Sequence, residues 1–211
     1  MKPVCLVLGA GAGIGGTVAA KFASEGYHSY LCRRSDQEGL DKLIKGIEDA
    51  GGSASGSLLN AIEEDVLEEL ITKVESDVGP IEVLVYNLGA QTGMKLLSQT
   101  THKEFEWGWR MASFGLFRAA KVLCPIMAER GKGTFLVTSA TAAMRGNATQ
   151  HSHAAAMGAR RMLCQSLNAE FAPKGIHVAH IVVDGAVDAP DTLGKMLGPE
   201  MYQQLRETKG M

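Results

Sequence analysis

The densest chemical signal in the chain lies directly after its first apolar run. It reads Leu8-Gly9-Ala10-Gly11-Ala12-Gly13-Ile14-Gly15-Gly16. A pyrophosphate needs backbone N–H groups close by and a helix N-terminus pointing at it, and side chains would block that approach. The plain alternative is a glycine-rich turn with no ligand. The strand before it and the helix after it favour the phosphate cradle. His151 and His153 form an H-x-H pair, but two residues apart at a helix start they point in different directions. No nearby cysteine or acidic cluster completes a site, so no metal is expected. No G-x-S-x-G elbow is present to support a hydrolase. Cys5, Cys32, Cys124 and Cys164 are far apart and show no zinc-type spacing. Cys5 and Cys32 fall in apolar runs and read as small core residues in a reducing compartment.

The elements that must position the glycine loop alternate between two periods. Strand-like runs fall at 4–8, 29–32, 54–59, 83–87, 134–138 and 177–183. Helix-like stretches separate them. Ile14, Val18 and Phe22 share one helix face. Leu40, Leu43, Ile44 and Ile47 mark a second helix, and Leu67, Leu70, Ile71, Val74 and Val78 a third. Two longer helices are expected at 103–130 and 152–172, with Trp107 and Trp109 as packing residues on the first of them. His177 and His180 fall on opposite faces of the last strand and read as satisfied core groups. This alternation predicts an α/β fold: a single Rossmann-type doubly wound parallel sheet with helices on both faces. The irregular stretches 89–101, 140–150 and 184–199 all follow strands, and in such a sheet the loops beyond the strand C-termini form the ligand crevice. With no repeat, linker or low-complexity tract, residues 1–211 are expected to form one domain.

The bulk numbers agree. A chain of 211 residues is long enough to bury one sizeable core. A net charge of −2 with scattered Lys and Arg offers no footprint for a nucleic acid or an anionic membrane. The run 4–8 is too short for a signal core or a membrane span, which leaves the cytoplasm as the expected compartment.

On these motifs the chain resembles the short-chain dehydrogenase/reductase family. Its G-x-x-x-G-x-G is matched at Gly9, Gly13 and Gly15. Tyr86-Asn87-Leu88-Gly89 is similar to the family's N-N-A-G at Asn87 and Gly89. Residues 166–178 resemble the segment that follows its catalytic helix. The resemblance implies a nicotinamide dinucleotide held by Gly9, Gly11, Gly13, Ile14, Gly15, Asn87, Gly89, Gly185 and Val187, with Asn60 near the adenine. Arg33-Arg34 closes the second strand, where NAD-specific members place an acidic residue. Two guanidinium groups there favour a 2′-phosphate, hence NADP(H).

The same resemblance implies an Asn-Ser-Tyr-Lys tetrad, and here the pattern fails. Counting from the matched segments puts Ala112, Ala140, His153 and Met157 at those positions, with Ser139 one residue before the serine position. His153 is a candidate proton donor, because imidazole titrates near neutral pH without help from a lysine. Ser139 could then orient a carbonyl. Two readings follow. One is an NADP(H)-dependent oxidoreductase acting on a small carbonyl or alcohol, with His153 in place of the tyrosine. The other is a catalytically silent cofactor-binding protein, a sensor or a subunit of an assembly. Met94, Leu96, Leu97, Met144 and Met196 make the crevice loops apolar and would suit an apolar substrate. A homodimer through the two long helices is expected, with Ala112, Ala119, Ala120, Ala155, Ala159 and Ala169 allowing close approach. The last parallel strand that the family usually carries is not expected within these residues.

Overall fold

A computed structural model describes residues 1–89 and 93–209 of the protein, apart from the side chains of Thr192, Met196 and Lys209. The first strand shows how the sheet is built. β1 (Val4–Leu8) is buried along its whole length. The two-residue period of a strand sends Val4, Leu6 and Leu8 into one core layer and Cys5 and Val7 into the other. A strand buried on both faces needs helices on both, and the chain supplies them between the strands. In order they are α1 (Ile14–Ser24), β2 (His28–Arg33), α2 (Gln37–Asp49), β3 (Ser53–Leu58), α3 (Val66–Asp77), β4 (Ile81–Tyr86), α4 (His102–Trp109), α5 (Gly115–Arg130), β5 (Gly133–Ala140), α6 (His151–Phe171) and β6 (Ile176–Val183). Two helical pieces follow, α7 (Lys195–Leu197) and α8 (Pro199–Lys209).

Every strand pairing is parallel, in the order β3-β2-β1-β4-β5-β6. The strand order turns back between β1 and β4, so the loops leaving those strands diverge and open a crevice between them. The fold is the doubly wound sheet that the alternating periods predict. All four cysteines are free and buried. Burial pushes the Cys5 thiol up to about 12, which leaves it inert at neutral pH.

The expected single helix 103–130 is instead two, joined by a wide π turn at Arg110–Phe114. Such a turn leaves carbonyls without helical partners, and side chains from two other elements take them. Tyr86 of β4 donates its hydroxyl to Met111 O at 2.5 Å, and Arg160 of α6 donates Nε to Ala112 O at 2.9 Å. A Cβ at Gly115 would stand 2.3 Å from the Tyr86 hydroxyl, so the space for that bond exists only because residue 115 is glycine. Hydrophobic periodicity does not register a turn that is completed from elsewhere. By length and composition the helical stretch 102–130 could cross a membrane, but 61% of its most apolar window is buried in this fold.

Two further expectations need correcting. The stretch 184–199 was expected to be irregular, but it holds a wide turn at Pro190–Gly194 and then α7. The buried Tyr202 of α8, which bonds Asp188, anchors it. Neither His177 nor His180 is a satisfied core group: His177 is exposed, because β6 is the edge strand among the described residues, and the buried Nε2 of half-buried His180 has no hydrogen-bond partner among them.

Candidate cofactor and active site

No side chain caps the N-terminus of α1 at Gly13. Gly16 N donates to Gly11 O at 2.8 Å within the loop, so the Ile14 and Gly15 N–H groups and the positive end of the helix dipole are what the crevice offers an anion. Gly9 turns the chain at φ +92°, and a Cβ there would stand 2.6 Å from the Asn87 carbonyl oxygen. Asn87 follows β4 directly. It donates from Nδ2 to Gly9 O at 2.9 Å and accepts at Oδ1 from Thr138 Oγ1 at 2.8 Å, tying the loop to β5. Gly11, Gly13, Ile14, Gly15, Asn87, Gly185 and Val187 come together around one cleft of about 300 Å³, with Ala186, Ala189 and Leu193 completing its wall. Gly9 supports this cleft from behind. Gly89 is exposed three residues beyond β4, and residues 90–92 lie outside the described residues.

A second cleft of about 640 Å³ opens on the other side of Ala12, between α1 and α2. Arg33 lines it with Asp36, Lys42 and Lys195. The two arginines are not equivalent. Arg33 is half-buried, with Nη2 2.8 Å from Asp36 Oδ2, whereas Arg34 is exposed. Arg33 is thus oriented in advance but already shares its charge. Asn60, two residues beyond the end of β3, donates Nδ2 to Glu63 Oε1 at 2.8 Å. Its buried Oδ1 has no hydrogen-bond partner among the described residues. A buried acceptor left open suits an amino-group donor such as the exocyclic amine of an adenine. The uncapped helix, the glycine turn and this acceptor all fit a bound dinucleotide.

The residues proposed for proton transfer are arranged differently. Ala112, Ala142, Ala143, Ala156 and Met157 form one buried apolar cluster, with Ala140 and Ala154 packed against it. Ser139 is buried, and its Oγ lies 3.8 Å from Met157 Sδ, a weak acceptor. His153 sits half-buried on the first turn of α6, in a small cleft with Gly93, Lys95, Thr149, His151 and Ser152. The loop facing it is held in place. Lys95 N donates to Thr149 O at 2.9 Å, Lys95 Nζ pairs with Glu104, and Ser152 Oγ donates to Glu104 O at 3.1 Å. The Lys95 ammonium, helped by the Thr101 backbone, holds the Glu104 carboxyl down at about 2. His153 and Ser139 therefore stand in different surroundings, and neither lines the cleft at the glycine loop.

The short chain dehydrogenase family model matches residues 3–194, a span that contains all six strands. The chain belongs to the short-chain dehydrogenase family. Members of this oxidoreductase family bind a nicotinamide cofactor and act on small molecules. Among relatives, the short-chain reductase protein NovJ of Streptomyces niveus is 32% identical over 209 residues, covering 98% of this chain and 78% of that one. A short-chain dehydrogenase from Rhodopseudomonas palustris superposes with a TM-score of 0.82 at 31% identity, covering 95% of this chain and 93% of that one. A gluconate 5-dehydrogenase from Burkholderia cenocepacia, solved with NADP and tartrate, gives 0.79 at 26% identity, covering 87% and 71%.

Within this short-chain dehydrogenase, sequence reasoning missed two features. One is the segment carrying Ala189 and Leu193, which closes the cleft from the side opposite the glycine loop. The other is Arg160, buried beneath the crevice, which in the sequence is only one of two adjacent arginines on a helix. Hydrophobic periodicity gives no signal for either.

Proposed function

We propose that this chain is an NADP(H)-dependent oxidoreductase of small carbonyl compounds or alcohols, folded as a single domain and working in the cytoplasm. One observation carries the reading: seven residues named from motif positions surround a single cleft at the uncapped end of α1. Gly11, Gly13, Ile14 and Gly15 would hold the pyrophosphate, Asn60 the adenine, and Arg33 and Arg34 the 2′-phosphate. Gly185 and Val187 would cover the far end, with Gly89 flanking it. NADPH, when bound, supplies the hydride. His153 supplies the proton to the carbonyl oxygen, so that hydride and proton together yield the alcohol and leave His153 as a neutral imidazole. Ser139, held only by a weak bond to the Met157 sulfur, would orient the carbonyl where substrate binding draws it and His153, which stand apart in this structure, into one site. The exposed Met94, Leu96, Leu97 and Met144 on the crevice loops suit an apolar substrate.

A panel of ketones and aldehydes with NADPH tests this reading. Turnover of at least one apolar carbonyl is expected. A second reading rests on the apolar cluster at the tetrad positions, which fits a silent cofactor-binding protein. Tight NADPH binding with no turnover across the panel would favour it.

Assembly is proposed as a homodimer through α4, α5 and α6. The reason differs from the sequence expectation, because Ala112, Ala119 and Ala120 point into the subunit core and only Ala155, Ala159 and Ala169 reach the surface. The exposed patch is aromatic instead. Trp109, Phe114 and Phe117 stack in series, with centroids 5.1 Å and 6.3 Å apart, and Phe105 and Met162 on the same helices are also exposed. Light scattering at micromolar concentration is expected to give a dimer mass, and a monomer mass would contradict this.

A further inference from the structure

Arg160 is 1% exposed, on the α6 face that also carries His153 and Met157. A buried guanidinium normally has a carboxylate beside it, because an uncompensated charge is costly to desolvate. Arg160 makes no ion pair among the described residues. Its partners are three backbone carbonyls: Nε donates to Ala112 O at 2.9 Å, Nη1 to Thr138 O at 2.6 Å and Nη2 to Leu88 O at 2.6 Å. The Tyr86 ring lies 5.2 Å from the guanidinium carbon and adds a neutral, weakly attractive face. These contacts give each guanidinium nitrogen an acceptor without cancelling the charge, and an arginine does not shed its proton in a protein.

The place of this charge is specific. Leu88 is the neighbour of Asn87, and Thr138 bonds the Asn87 side chain, which in turn holds Gly9. The cation therefore lies directly under the wall of the cleft at the glycine loop.

We infer that Arg160 sets the redox preference of this cleft, favouring the reduced, uncharged nicotinamide of NADPH over the cationic ring of NADP⁺. The inference rests on the cofactor reading above and extends it to a direction, towards reduction. A cationic ring bound in the cleft beside Asn87 would be repelled by this guanidinium; at a separation on the order of 10 Å and an effective dielectric of about 20, that repulsion would be worth roughly tenfold in affinity. A purely structural role for Arg160 would weaken both cofactor forms together and leave their ratio unchanged.

The test is calorimetric titration of NADP⁺ and NADPH into the wild-type chain and into Arg160→Met and Arg160→Lys, each checked for fold by circular dichroism. The wild type is expected to bind NADPH about tenfold more tightly than NADP⁺. Arg160→Met should bring the ratio close to one, and Arg160→Lys, which keeps the charge, should retain most of it. Where Arg160→Met does not fold, Arg160→Gln serves as the neutral variant, since its amide still donates to part of the carbonyl set. A wild-type ratio near or below one overturns the inference without any variant. A high ratio that persists in the neutral variant also overturns it. If neither form binds the wild type, the cofactor reading itself falls, and this inference with it.

Discussion

Gly15→Ala is expected to weaken NADPH binding by at least 100-fold and to lower the melting temperature by several degrees. A Cβ at residue 15 would stand 2.2 Å from Gly9 O and 2.9 Å from Ala10 Cα. Both obstacles are backbone, so no side chain can swing aside, and the loop itself must shift. The loop is fixed at its far end. Gly9 N and Ala10 N donate to Cys32 O at 3.0 Å and 2.9 Å, and Gly9 O accepts from Asn87. A shift of the loop therefore disturbs the cleft wall and the first turn of α1 together. Overpacking of this kind costs about 1–3 kcal/mol, or roughly 2–4 °C per kcal/mol in a chain of this size. The loss of binding is larger because the N–H groups that face the pyrophosphate move with the loop. Melting and titration on one preparation separate the two effects. Unchanged NADPH affinity in a folded Gly15→Ala variant would show that the cleft is not the pyrophosphate site.

His153→Phe is the second large effect. Removing a positioned proton donor costs roughly 100-fold or more in turnover, and the phenyl ring keeps the volume that the α6 turn packs around. NADPH affinity should stay within a few-fold of the wild type, because His153 does not line the cleft at the glycine loop. The direction of the pH dependence also follows. Reduction requires the imidazolium, so the wild-type rate should fall as pH rises through the range where the imidazole loses its proton. A phenol donor in the same role would sustain reduction to higher pH. Equal turnover by the wild type and His153→Phe, or a flat profile across that range, would remove His153 from the reaction. The apolar cluster would then be the more telling feature of the site.

Much of this was legible in the residues, and the parts that were not share a cause. The strands and the glycine loop could be read because each is set by local periodicity or a local steric demand: Val4–Leu8 matches to the residue, and Gly9 adopts the positive φ that its turn requires. Positions 112, 140 and 157 could be located by counting, but the buried cluster that holds Ala112 and Met157, with Ala140 packed against it, is a packing result that spacing does not contain. The Arg33–Arg34 pair shows the same limit. Adjacent in sequence, the two differ in space because Asp36, held at φ 74°, turns back to engage only the first. Arg160 was missed for a related reason. Its hydrogen-bond partners come from the segment after β4, from β5 and from the π turn, distant in sequence, and an arginine on a helix ordinarily faces water.

The central claim is that the cleft between the glycine loop and residues 185–193, together with the neighbouring cleft lined by Arg33, holds NADP(H). Calorimetric titration of the wild-type chain with NADPH and NADH tests it directly, with the double substitution Arg33→Ala, Arg34→Ala as control. The account predicts one NADPH per chain, bound at least tenfold more tightly than NADH, a difference of roughly 1.4 kcal/mol. In the double variant that preference should disappear while NADH affinity stays unchanged. Equal affinities for the two cofactors, or no binding of either, would contradict it.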